Sequence, residues 1–375
     1  MDFGLTETQE LIRTSAREFL ADRSPPSNVR AVAEGDTNIL ASLWNDIVDL
    51  GWPALVISEQ HGGAGLAFSD LAVLLEELGA SLAPTPMVES AISSRILDRF
   101  GSESIKTELL PQIATGGVLI TTAIVERNAS WDTTIATTVA TATNSGLIVT
   151  GEKRFVPFAD QATHALTYAV TDSGEPALVL IPIWPPNRVH GVERKPVNHI
   201  SGVPVCSLNF NEVEVPSENV IGTGQVALDA TEELIAAGAV ARAAQLAGLG
   251  RAVVDATVKY TGSREQFGQA VGAFQAVQHH LAEMAIASKQ VHHLAHAAAW
   301  SFSDDGYSGR RAAQAKIAAS EKIPTVCWTA HQCHGAIGFT WEHDLHLFTR
   351  RALAWKTDFG DLTFHKAKLA SFMGL

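Results

Sequence analysis

The chain has 375 residues, a length of about two to three domains and ample for a large buried core. Hydrophobic residues make up 46% and charged residues 18%, which excludes a disordered chain. Lys and Arg number 27 against 40 Asp and Glu, so the formal charge is −13, and neither nucleic acid nor an anionic membrane is expected as the main partner.

The chain opens helical. Thr6-Glu7-Thr8-Gln9 has the form of a capping box, and Ile12, Ala16, Phe19 and Leu20 follow at helical spacing. Leu40 to Leu50 and Asp70 to Leu82 read as two more helices. Ser58 to Gly65 between them is too glycine-rich for helix, and Leu82-Ala83-Pro84-Thr85-Pro86 forces an extended turn. From Val118 the texture changes to Thr, Val and Ile punctuated by Gly, Asn and Pro. Thr133 to Thr143, Leu147 to Phe155, Ala177 to Ile183 and Val205 to Val215 read as strands. Helices return from Ala227: Ala227 to Tyr260, Val271 to Ser301, Arg310 to Cys333 and a C-terminal stretch, long enough to pack as an antiparallel four-helix bundle. The expected architecture is α+β, with an N-terminal helical domain (1–117), a central barrel-like β domain (118–225) and a C-terminal bundle (226–375).

Three cysteines, Cys206, Cys327 and Cys333, cannot make a disulfide framework. The N-terminus lacks the basic and apolar blocks of a signal peptide. The most apolar helical stretch, Leu234 to Leu249, is interrupted by Arg242 and Gln245 and falls short of a membrane span. The expectation is a cytoplasmic protein.

Two segments carry candidate chemistry. In Arg264 to His279, an Arg beyond a helix end, Phe267 three residues on and a Gly turn suit a pyrophosphate clamp. The guanidinium offers a bidentate fork and the ring can cover an adenine or flavin face. A surface Arg beside a turn is more often simply solvated. In His331 to His343, small residues at a helix end expose backbone N–H groups to a ligand. His331, His334, His343 and His346 form two His-x-x-His pairs, but no carboxylate or thiol completes a standard ligand set, so no metal is expected.

With Met1-Asp2-Phe3-Gly4-Leu5-Thr6 and the run from Gly51-Trp52 to Gly65, these segments give a chain that resembles the flavin-dependent acyl-CoA dehydrogenases over nearly its whole length. The resemblance implies FAD bound between subunits. It implies that Arg264 and Phe267 contact the FAD of a neighbouring subunit, with Gln275, Gln332 and Gly335 supporting its adenosine and pyrophosphate. Ala336 stands where the family commonly has a second Gly. The implied partners are an acyl-CoA substrate, a hetero- or homotetramer of such subunits, and an electron-transfer flavoprotein.

The same resemblance marks what is missing. The family's glutamate base falls in register at Phe359 in one lineage and at Gly238 in another, and neither residue can take a proton. A flavin-facing hydroxyl is replaced by Val125, and a second by Pro157. No catalytic residue is therefore assigned. The pattern is similar to the base-lacking partner subunit of heteromeric actinobacterial and steroid-degrading members. Alternatives stay open: a self-sufficient homotetramer with a displaced base at Asp358, Asp361, Glu232 or Glu233, a flavin oxidase or monooxygenase, or a structural subunit without cofactor. The ordinary reading of those four carboxylates is as solvated surface charge.

Overall fold

A computed structural model describes residues 4–128, 130–185, 189–302 and 306–375. Met1, Asp2 and Phe3 of the opening motif lie outside them, as does Ala129. The chain begins with α1 (Glu7–Arg23), α2 (Pro26–Ala33), α3 (Thr37–Asp49), α4 (Phe68–Ala80), α5 (Met87–Phe100) and α6 (Glu103–Ala114). The expected capping box closes α1: Gln9 N–H donates to Thr6 Oγ1, and Thr6 N–H donates to Gln9 Oε1. α4 is apolar on nearly every side and is buried accordingly.

The middle of the chain forms one sheet from β1 (Ile120–Ala123), β2 (Val139–Ala142), β3 (Gly146–Pro157), β4 (His164–Thr171), β5 (Pro176–Pro182), β6 (Val192–Pro196), β7 (Val205–Pro216) and β8 (Val220–Thr223). Its order is β6-β7-β3-β2-β4-β5-β8, with β1 also pairing β4. The end strands β6 and β8 do not pair, so the sheet is open and only loosely barrel-like. Alternation along β5 splits two cores. Leu178 and Leu180 face the helices, while Ala177, Val179 and Ile181 face a second cluster inside the β domain. The expected strands change here in two ways. Thr133 to Thr143 is a strand only over β2, because Thr133–Ile135 forms a short 3-10 turn capped by Asp132. β1, β4, β6 and β8 are strands beyond the four expected.

The last third holds α7 (Gly224–Ser263), a small hairpin of β9 (Glu265–Gln266) and β10 (Gln269–Ala270), then α8 (Gln275–Ala299), α9 (Gly309–His334), α10 (Leu345–Trp355) and α11 (Leu362–Phe372). α8 starts four residues later than the expected Val271, because Val271–Ala273 is a 3-10 turn. α7, at 40 residues about 60 Å long, is the axis of the molecule, packed by α4, α5, α8 and α9. It crosses α4 at very close range: a Cβ at Gly248 would stand 1.7 Å from the Glu76 carbonyl oxygen. Only hydrogen fits there, and the crossing fixes Glu76 against α7. Among the described residues no helix is long and apolar enough to cross a membrane.

Candidate functional site

The cleft lies where the sheet meets the bundle. The β domain contributes Val125, Trp131 and Pro157. α5 contributes Glu89, α7 contributes Arg242, and the turn after α10 contributes Asp358 and Phe359. Phe359 is the centre of it. Its backbone sits at φ +54°, its side chain is buried, and its ring lies on the face of α7 at Gly238. A Cβ at Gly238 would stand 2.1 Å from Cδ1 of that ring. The two positions marked from the sequence as lacking a base are therefore in direct contact. Trp131 covers the ring from the β side, with centroids 5.0 Å apart. The remaining cavity is about 40 Å³. That is room for about one water molecule, where ligand pockets run to roughly 300 Å³ and more.

A charge network closes the same cleft. Arg242 donates to Glu89 at 2.7 Å, to Asp358 at 3.0 Å and to the Gln245 side chain at 2.6 Å. Burial raises the Glu89 carboxyl above its ordinary range, and Arg242 opposes that rise. Asp358, the first candidate for a displaced base, is thus held as a counter-ion. The other three are engaged as well. Asp361 caps α11 through Phe364 N–H at 2.8 Å, and Glu232 pairs with Lys368 at 3.0 Å. Glu233 departs from the expected solvated charge: it is buried and clamped by Arg95 at 2.7 Å and Arg99 at 2.9 Å. Pro157 and Val125 serve through their carbonyls, which accept from Thr121 Oγ1 at 2.6 Å and from Arg154 N–H at 2.8 Å.

The second expected site lies at the far end of α7. Arg264 caps that helix, the β9–β10 hairpin follows, and α8 begins at Gln275. Tyr260 ties this end to the last turn of α9, its ring stacked 4.4 Å from His334. Gln332 and Gly335 therefore stand at the same end as Arg264. All five expected residues, Arg264, Phe267, Gln275, Gln332 and Gly335, are exposed on the single chain. Phe267 is 94% exposed at φ +53°, a large cost for an aromatic ring left in water. Phe274, which precedes α8, makes no side-chain cap bond, so no side chain of the N-cap residue satisfies the first amides of this 25-residue helix. Gly335 has φ +66° and nothing within 4 Å of where a Cβ would be. A bare guanidinium, a free helix N-terminus and an open glycine suit a pyrophosphate.

The histidines singled out from the sequence have local roles. His331 meets Thr349 at 2.7 Å, His334 bonds the Ala330 carbonyl at 2.8 Å, and His346 stacks on Trp341 at 4.6 Å. His334 and His343 meet edge to face at 4.9 Å. Glu89, Arg242 and Trp131 line the cleft without belonging to any motif in the sequence. Arg242 could have been found as a charge inside an otherwise apolar helical run.

Comparison with known proteins agrees with this architecture. Residues 6–117 match the acyl-CoA dehydrogenase N-terminal domain and residues 228–370 the C-terminal domain. The chain is 28% identical to acyl-CoA dehydrogenase IpdE2 of Mycobacterium tuberculosis, over 92% of this chain and 91% of that protein. It is 27% identical to benzylmalonyl-CoA dehydrogenase of Aromatoleum aromaticum, over 93% of each. Among solved structures, the Tcur3481-Tcur3483 steroid ACAD superposes with a TM-score of 0.88 at 26% identity, over 98% of each chain. With both terminal domains matched in order and the relatives aligned almost end to end, the chain belongs to the acyl-CoA dehydrogenases, the FAD-dependent oxidoreductases that act on the CH–CH bonds of acyl-CoA thioesters.

Proposed function

We propose that this chain is the cofactor-supporting, non-catalytic subunit of a heteromeric acyl-CoA dehydrogenase. The observation that carries the reading is the contact of Phe359 with Gly238. An aromatic ring fills the space in which the reaction needs a carboxylate at the α carbon and a flavin beside the β carbon. The opposite end of the bundle keeps what a neighbour's cofactor requires. Arg264 would hold the pyrophosphate of the partner's FAD, Phe267 would cover its ring system, and Gln275, Gln332 and Gly335 would meet the adenosine side. When bound, FAD supplies the hydride acceptor. This chain's residues would hold it in place.

The likeness to a steroid ACAD whose name joins two components supports a heteromer and a bulky, polycyclic acyl group. Reduced flavin would pass its electrons to an electron-transfer flavoprotein. Three free, buried cysteines suit the reducing cytoplasm as its place of work.

The test is the visible spectrum of the chain purified alone, against the chain co-expressed with a catalytic family member. A colourless lone chain and one FAD per heterodimer are expected, with the Arg264→Ala complex losing FAD on gel filtration. A lone chain holding one FAD and turning over acyl-CoA at full rate would overturn the reading.

A further inference from the structure

Outside the cleft, a groove of about 490 Å³ runs between α1, α4, α7 and α8. Three groups with metal-ligand chemistry meet in it: Glu76 of α4, and His292 and His296 of α8. The histidines are four residues apart on a 25-residue helix, so both rings stand on one face, with centroids 4.4 Å apart. His292 Nδ1 and His296 Nε2 each lie 2.8 Å from the same oxygen, Oε2 of Glu76. All three ligand atoms fall within 4.8 Å of one another.

The surroundings hold this set in place. The close crossing at Gly248 pins the Glu76 backbone. Its other oxygen, Oε1, faces Arg251 Nε at 3.4 Å. Arg251 also donates to Glu77 at 2.8 Å, and Arg17 meets that same carboxylate at 2.9 Å. Glu77 thus offsets the charge of Arg251, which lies beside Oε1 as an ion pair, while Oε2 alone meets the histidines.

We propose that Glu76, His292 and His296 bind one divalent transition metal of the zinc class, with its fourth position open to the groove. Two imidazoles and one carboxylate are a ligand set that zinc takes with one site left for water, whereas the imidazoles disfavour calcium and magnesium. Metal–ligand bonds of about 2.0–2.2 Å place tetrahedral ligand atoms roughly 3.3 Å apart, so each hydrogen bond would open by about 0.5 Å. Each histidine would bind as the neutral imidazole, with its proton on the ring nitrogen away from the ion, so a proton is released only from a ring that starts as imidazolium. The bound ion would clamp α4 to α8 across α7.

The test titrates Zn²⁺ into the full chain, stripped with a chelator and free of any purification tag, in competition with a chromophoric chelator. Co²⁺ is run in parallel for its visible absorption. One equivalent per chain, tetrahedral cobalt absorption and a raised melting temperature are expected. The double variant His292→Gln/His296→Gln should lose affinity by about tenfold or more together with the melting shift, and Glu76→Gln should weaken binding in the same sense. Both histidines are half-buried, and a circular-dichroism melt checks folding. If the double variant does not fold, the single variants are read in the same way. Failure of the native chain to bind zinc, or equal binding by folded variants, overturns the proposal.

Discussion

Replacing Gly238 with Ala tests the contact at the centre of the cleft. In an ordinary buried helix the change would stabilise by about 1 kcal/mol, because Gly is the poorer helix former. Here the new methyl would stand 2.1, 2.3 and 2.5 Å from three carbons of the Phe359 ring. Carbon atoms prefer roughly 3.5–4.0 Å, so the ring must retreat by more than about 1 Å. It has little room, with Trp131 behind it and its own backbone at φ +54°. Overpacking of this kind costs about 1–3 kcal/mol, and a clash this deep belongs at the upper end. The net expectation is a loss of about 2 kcal/mol. In a Phe359→Ala background the obstacle is gone, and the same substitution should recover its gain of about 1 kcal/mol. The coupling across the double-mutant cycle is then about 3 kcal/mol. Calorimetric melts of the four proteins measure it. With roughly 2 °C per kcal/mol for a large domain, Gly238→Ala should lower the melting temperature by about 4 °C in the native background and raise it by about 2 °C in the other. A stabilising effect in both backgrounds would refute the placement of Phe359 on Gly238.

Three further outcomes are expected. Arg242→Met leaves the fully buried Glu89 without its partner, which should cost about 3–5 kcal/mol in urea or thermal unfolding, and adding Glu89→Gln should restore part of that loss. Asp358→Asn should leave turnover of the assembled enzyme unchanged, because Asp358 is a counter-ion to Arg242; a rate loss greater than about tenfold, measured with the acyl-CoA substrate, would return it to the role of base. His365 is buried against the Phe359 carbonyl at 2.8 Å, and burial pushes its imidazole down to about 4. The folded state therefore binds its proton less readily than the unfolded state does. Its contribution is fully present above about pH 6.5 and is lost as pH falls toward about 4, a span worth at most about 3 kcal/mol at 1.36 kcal/mol per unit. Melting curves of the native chain and His365→Gln across that window should diverge, with the flatter pH dependence in the variant.

Much of the fold is written locally. Helix starts and stops are legible where a cap or a proline forces them, as at Thr6 and Pro84. β4 escaped because it is buried on both faces and His-Ala-Leu-Thr-Tyr-Ala-Val-Thr carries no alternation. β6 escaped because Val-Glu-Arg-Lys-Pro is a short, charged edge strand and has the composition of a loop. Register along the chain marked Gly238 and Phe359 one at a time, but their contact spans more than a hundred residues and exists only once α7 and the turn after α10 pack. Glu233 looked like surface charge because the two arginines that neutralise it come from α5. The same holds for Glu76 and its histidines: an i,i+4 His pair is visible in sequence, whereas the carboxylate between them arrives from a distant helix.

The Phe359–Gly238 contact also bears on reversibility. A glutamate introduced at position 238 collides with the ring, and one introduced at position 359 removes the packing that holds Trp131 and still faces Val125 and Pro157, which offer no side-chain hydrogen-bond donor to a flavin. Each single step toward a working site loses stability before any catalysis returns. Under the proposed function, a lineage that has reached this arrangement is under a one-way constraint, with its activity tied to a second polypeptide.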